Sequence, residues 1–170
     1  MKWCLFTGTW RLTNSEVEED VRAAVREVLS RGDGIVTGGA TGVDHFAIDE
    51  LSKFDPNFTR LRIFIPTSLS EYMHDYRTNW LHDPITDHDI DQLEKLLFEV
   101  KIKNPAALVE LSHTNITQVE YNLRHLDEVK YSDMVYAFQV NKSTGTQDTI
   151  DKAKAAGLPI VLHKQYSISE

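Results

Sequence analysis

Apolar and polar positions fall into blocks along the chain, and the blocks read as strands and helices in turn. Residues 2–6 form a short apolar run ending at Thr7-Gly8-Thr9, the pattern of a buried strand that leads into a turn. Val17, Val21, Ala24, Val25, Val28 and Leu29 then recur at helical spacing as far as Gly32, and Ser15 with Glu18 reads as the capping box of that helix. Gly34–Thr37 is a brief β-branched strand that runs straight into Gly38-Gly39-Ala40-Thr41-Gly42. Val43, Phe46, Ala47 and Leu51 mark a second helix, and Leu61–Ile65 a third strand closed by Pro66. Further on, Thr117 and Glu120 form another capping box, for a helix reaching about Lys130. Residues 134–138 and 159–162 read as fourth and fifth strands, with a helix over about 146–156 between them.

Strands separated by helices require crossover connections, and these require parallel strands. The expected fold is therefore α/β, a Rossmann-like three-layer sandwich around a mostly parallel sheet. Residues 67–116 break the rhythm: they hold no glycine, and they contain His74, His82, His88 and His113. Ile90, Leu93, Leu96, Leu97 and Val100 predict an amphipathic helix there, and residues 105–111 a second, short one. This stretch reads as a helical insertion between the third strand and the helix before the fourth. Residues 165–170 read as a polar tail. With no internal repeat, low-complexity tract or linker, residues 1–170 are expected to form one domain.

Composition narrows the class. A chain of 170 residues, 41% hydrophobic and 26% charged, has enough apolar surface for a core of ordinary size. No apolar run approaches the roughly 18 residues of a membrane span, and the N-terminal apolar stretch is too short for a signal peptide. The lone cysteine, Cys4, excludes an internal disulfide and reads as a buried inert thiol. A cytoplasmic protein without a membrane partner is the expectation. The net charge of −8 argues against a broad basic footprint for duplex DNA and favours a compact ligand held by a few focused contacts.

Gly38, Gly39, Ala40, Thr41 and Gly42 lie between a strand and a helix. Glycines there let the backbone approach a ligand and free N–H groups to point outward, while the following helix adds its positive end. Asp44 suits a ribose hydroxyl or a helix cap. Ser143-Thr144-Gly145-Thr146 forms a second turn of this kind, and Gly8 and Thr9 would fall between the two. Two such turns in one parallel sheet mark a crevice at a topological switch point. Trp10 and Arg11 suit either base stacking or simple packing. Tyr72 to Trp80, where aromatic and basic residues interleave, reads first as packing and otherwise as a lid or partner surface. His82, Asp83, His88 and Asp89 match no common metal-site spacing, so neither metal nor cofactor is expected.

Taken in chain order, Thr7-Gly8-Thr9, Gly38 to Asp44, Arg124, Ser132-Asp133, Ala137-Phe138 and Gly145-Thr146-Gln147-Asp148 resemble the SLOG superfamily. That group joins LOG-type phosphoribohydrolases, DNA-processing proteins of natural transformation and small nucleotide-sensing domains. The resemblance implies a strand order of 3-2-1-4-5, a nucleotide or nucleotide-derived ligand, and a homodimer. It also places Arg124 where the LOG-type enzymes carry a catalytic arginine, nine residues before Asp133. Where those enzymes carry a glutamate, this chain has Thr149, which cannot act as a carboxylate. Nucleotide binding without catalysis is the leading expectation. N-glycosidic cleavage is the alternative, with Arg124 and Asp148, or Asp151, as its catalytic pair, and single-stranded DNA binding stands third.

Overall fold

The computed structural model describes residues 1–112 and 117–170. Its order is β1 (Trp3–Gly8), α1 (Ser15–Ser30), β2 (Gly34–Thr37), α2 (Val43–Phe54), β3 (Leu61–Ile65), α3 (Leu69–Asn79), α4 (Asp87–Lys103), β4 (Leu108–Glu110), α5 (Gln118–Tyr131), β5 (Met134–Val140), α6 (Thr144–Ala155) and β6 (Ile160–Tyr166). The strands form one parallel sheet in the order β4-β3-β2-β1-β5-β6. The five strands expected from sequence thus lie in the expected order, and β4 is added outside β3.

Alternation along the strands divides the core into two layers. Cys4, Phe6, Ile35, Ile63, Tyr136 and Phe138 face α1, α2, α3 and α4. Leu5, Val36, Phe64, Val135 and Ala137 face α5 and α6, against Val129, Ile150 and Ala153. Cys4 is wholly buried, and burial pushes its thiol up to about 11, so it is an inert core residue as expected. No helix among the described residues is long and apolar enough to cross a membrane.

The insertion departs from its expected form. It is helical only as far as Lys103; Pro105–Ala107 is a single 3-10 turn, and Leu108–Glu110 is strand rather than helix. Pairing decides this, because Leu108, Val109 and Glu110 sit in register with Ile63, Phe64 and Ile65 and complete the open edge of β3. A strand of three residues is too short for its alternation to show in the sequence. The last strand also outruns its expected end, since β5 pairs with β6 as far as Val140 opposite Tyr166. The tail beyond is tied back: Ile168 N–H donates to Asn141 Oδ1 at 2.9 Å. At the start of α1 the cap is Asn14 rather than Ser15, accepting from Val17 N–H at 3.0 Å. The Thr117–Glu120 capping box forms as expected. His113 lies outside the described residues.

Candidate functional site

A cleft of about 330 Å³ opens at the carboxyl ends of β1 and β5. Stretches far apart in sequence wall it: residues 6–12 at and after the end of β1, Tyr76 of α3 with Trp80 just beyond it, residues of α5 from Gln118 to Glu128, and residues of the segment 140–146 leading into α6, together with Ala40, Asp44 and Glu170. Of the residues singled out in the sequence, Gly8, Thr9, Ala40, Asp44, Arg124, Gly145 and Thr146 line it. Gly38, Gly39 and Asp148 do not, and Thr41 and Gly42 line a separate hollow beside His45 and Phe46.

The glycine turn packs inward. Gly39 and Gly42 have φ of +72° and +76°, and a Cβ on Gly42 would lie 2.4 Å from the Thr9 carbonyl oxygen. Two of its N–H groups, and that of Val43 just after it, are taken by the protein itself. Ala40 N–H donates to Asp44 Oδ2 at 3.1 Å, Thr41 N–H to the Tyr76 hydroxyl at 3.0 Å, and Val43 N–H to the Thr9 carbonyl at 3.1 Å. The anion enclosed by this turn is the chain's own Asp44 carboxyl, one turn into α2.

Beneath the cleft lies a buried charged cluster. Arg124, only 7% exposed, donates from Nη1 to the Gly38 carbonyl at 2.8 Å, and its guanidinium carbon lies 5.3 Å from the Tyr121 ring centre. Its Nε stands 3.6 Å from Glu128 Oε1, too far for a hydrogen bond. Gly38 leaves room for the cluster: a Cβ there would lie 2.6 Å from Glu128 Oε1, 3.0 Å from Arg124 Cζ and 3.1 Å from Asp44 Oδ2. Burial raises the Asp44 pKa above its ordinary value, against the pull of Arg124. Burial likewise pushes Glu128 up to about 8, with Arg124 opposing and Asp44 adding to the shift. His125 is held down at about 4, by burial first and then by Arg124.

The second turn is arranged differently. Ser143, the N-cap of α6, makes no side-chain cap to the helix backbone, and its hydroxyl donates instead to Thr146 Oγ1 at 2.9 Å. Ser143, Thr144, Gly145 and Thr146 all line the cleft, so the positive end of α6 faces it without a side-chain cap. Asp148 Oδ2 is held elsewhere, 2.8 Å from His125 Nδ1 and 2.5 Å from Lys152 Nζ. These two partners outweigh burial and keep its pKa below the usual carboxylate value. Thr149 is fully buried and its hydroxyl donates to the Gly145 carbonyl at 3.3 Å.

The cleft also has an aromatic wall. Trp10 meets Trp80 edge to face with ring centres 5.4 Å apart, and Trp80 meets Tyr121 at 5.2 Å. Asp75 Oδ2 anchors the wall by accepting from Trp80 Nε1 and from the Tyr121 hydroxyl, each at 2.9 Å. Arg11 closes the rim, donating to the Asp83 carbonyl at 2.7 Å and pairing with Glu170. The segment from Tyr72 to Trp80 is thus packing and wall at once. Tyr121, His125 and Glu128 escaped the sequence reading, although a signal was present. They share with Arg124 the i, i+3, i+4, i+7 face that α5 turns inward, where apolar residues would be the rule. Among the described residues, no group of three or more His, Cys, Asp or Glu could hold a metal ion.

The architecture has known counterparts. DNA processing protein A from Helicobacter pylori, described for its single-stranded DNA binding mode, is similar with a TM-score of 0.64 at 17% identity, over 99% of this chain and 66% of the other. DNA processing protein A from Streptococcus pneumoniae is similar with a TM-score of 0.57 at 13% identity, over 99% and 50% of the two chains. The structural-genomics target TM1055 is similar with a TM-score of 0.54 at 15% identity, over 94% and 72%. The chain spans 66% and 50% of the two DNA processing proteins that it matches. No protein-family model and no curated protein matches the sequence. The fold is thus a Rossmann-like α/β sandwich of the kind these proteins share.

Proposed function

We propose that residues 1–170 act as one SLOG-type unit that binds a nucleotide in this cleft without transforming it. The carrying observation is the start of α6: a helix end without a side-chain cap, flanked by the Ser143, Thr144 and Thr146 hydroxyls, lining a cleft that Trp10, Trp80 and Tyr121 also line. The helix end suits a phosphate; Trp10, Trp80 and Tyr121 suit a base. The volume of about 330 Å³ lies within the roughly 300–1,000 Å³ of small-molecule sites. In this reading the phosphate seat belongs to Gly145 and Thr146. The glycine turn serves as scaffold, because its amides already hold Asp44, Tyr76 and Thr9.

Binding is favoured over N-glycosidic cleavage because Asp148 is committed to His125 and Lys152, and the Thr149 hydroxyl turns back on its own helix. Thermal-shift and calorimetric titrations with nucleoside mono- and diphosphates, ADP-ribose and cyclic nucleotides test the proposal. Saturable stabilisation by at least one supports it, and none at millimolar ligand rejects it.

Single-stranded DNA binding draws support from the likeness to the Helicobacter pylori protein. Against it, Arg11 and Arg124 are the only lysine or arginine side chains lining the cleft among the described residues, and Arg11 is already paired with Glu170, in a chain of net charge −8. A gel shift with labelled oligonucleotide, competed by mononucleotide, separates the two readings.

A further inference from the structure

We infer that the cleft has a second anion seat, the Arg11 guanidinium at its rim, which the chain fills with its own Glu170 carboxylate, and that the ligand this suits is a nucleotide carrying two or more phosphates. The inference rests on the nucleotide reading and sharpens it.

Of the two cationic side chains that line the cleft among the described residues, Arg11 is the one a ligand can reach. Arg124 is 7% exposed and bound to the Gly38 carbonyl. The Arg11 side chain is 30% exposed. Its Nη1 donates to the Asp83 carbonyl at 2.7 Å, which steadies the guanidinium, and its Nη2 meets the Glu170 carboxylate. The Glu170 side chain is 60% exposed and lines the same cleft. A carboxylate on a steadied guanidinium marks the place that an anion of the ligand would take.

Glu170 arrives there on a strap. Beyond β6 every second residue is tied down, while Ser167 and Ser169 stay exposed. The Tyr166 hydroxyl donates to Asp20 Oδ2 at 2.7 Å. Ile168 exchanges two hydrogen bonds with the Asn141 side chain, at 2.8 and 2.9 Å. Asn141 and Lys142 hold left-handed backbone, with φ of +49° and +54°, a conformation found most often where function requires it. Asn141 also stands two residues before Ser143, the N-cap of α6. From Ile168 to Glu170 is at most about 7 Å of extended chain. The strap therefore spans the short distance between the start of α6 and Arg11, the two positive features of one cleft.

Charge decides what can take the seat. An exposed ion pair is weak, so the Glu170 carboxylate is exchangeable. A terminal phosphate brings about 1.5 to 2 negative charges and three acceptor oxygens, more than a carboxylate has, and displaces it. A phosphodiester, with a single charge, gains nothing by the exchange, so the strap discriminates against an oligonucleotide. With one phosphate at α6, the next along the same ligand extends towards Arg11.

Calorimetric titration of the full chain at pH 7 in metal-free buffer, with the mono-, di- and triphosphates of adenosine, guanosine, cytidine and uridine, tests the inference. For the base that binds best, a di- or triphosphate should exceed the monophosphate by about fivefold or more. Glu170→Gln should tighten that longer form by about threefold or more and leave the monophosphate within about twofold, the scale of one exposed ion pair. Arg11→Gln should bring the forms to within about twofold of one another, and Glu170→Gln should gain nothing in its background. A monophosphate that binds as tightly as the longer forms overturns the inference and leaves nucleotide binding standing. A Glu170→Gln variant that gains nothing, or that tightens every form alike, overturns it as well. Should Arg11→Gln fail to fold, the Glu170→Gln comparison decides. Failure of every nucleotide to bind rejects the underlying reading instead.

Discussion

The Tyr72 hydroxyl donates to the Gly39 carbonyl oxygen at 2.9 Å, so a helix of the insertion holds the glycine turn in place. Tyr72 is wholly buried, and no water can replace its hydroxyl without opening the core. Tyr72→Phe keeps the ring and strands the carbonyl. It should cost about 1–3 kcal/mol in urea denaturation. An unchanged midpoint would mean that the turn does not depend on this bond.

The two glycine turns should respond oppositely to a methyl group. At Gly42 the backbone has φ +76° and the new Cβ would strike the Thr9 carbonyl at 2.4 Å, so Gly42→Ala should lose about 2 kcal/mol or more. At Gly145 nothing lies within 4 Å of the new Cβ, and Gly145→Ala should be neutral or up to about 1 kcal/mol more stable. The same methyl would crowd the proposed phosphate seat. Nucleotide affinity should therefore fall in a protein whose melting temperature does not.

Stability should fall with pH through the Glu128 carboxyl. Burial raises it from 4.5 to about 8, so between those values the folded chain keeps a proton that the unfolded chain has released. Its cost is absent below about pH 4.5, grows as pH rises, and levels off above about 8. His125, lowered from 6.5 to about 4, acts in the opposite sense between those values, because there the unfolded chain takes up the proton first. Glu128→Gln removes only the first effect. The stability of the variant minus that of the parent should rise from pH 5 to pH 8, by at most about 1.4 kcal/mol per unit. A flat difference in guanidinium titrations across that range would refute it.

Asp75 should matter more to ligand than to fold. It is partly exposed, yet one of its oxygens orients both Trp80 and Tyr121. Asp75→Ala should cost about 1 kcal/mol of stability. Nucleotide affinity should drop about fivefold or more, because the wall loses its preorganisation. Tryptophan fluorescence can follow both effects.

Much of the frame was legible in the chain. Val17 to Leu29 and Ile90 to Val100 repeat at helical spacing because each buries one face, and that periodicity survives in sequence. β4 was not legible, because its three residues become strand only by meeting the open edge of β3. At the site, the turns were found but their roles were not. Glycine spacing shows where a backbone bends. It does not show that the amides of Ala40, Thr41 and Val43 would find Asp44, Tyr76 and Thr9. Nor does a helical arginine announce its burial: Arg124 ends beneath Gly38 because Asp44 and Glu128 arrive there from two different helices.

The place of β1 at the centre of the sheet also shapes how the chain must be made. Trp3, Cys4 and Leu5 pair on one side with β2, synthesised soon afterwards, and Cys4, Leu5 and Phe6 on the other with Met134, Val135 and Tyr136. On the ribosome, at about 5–20 residues per second, that second edge stands open for several seconds or more. An apolar strand with an unpaired edge is a template for neighbouring nascent chains. The cleft between β1 and β5 is complete only when that wait ends, so no ligand bound there can shorten it.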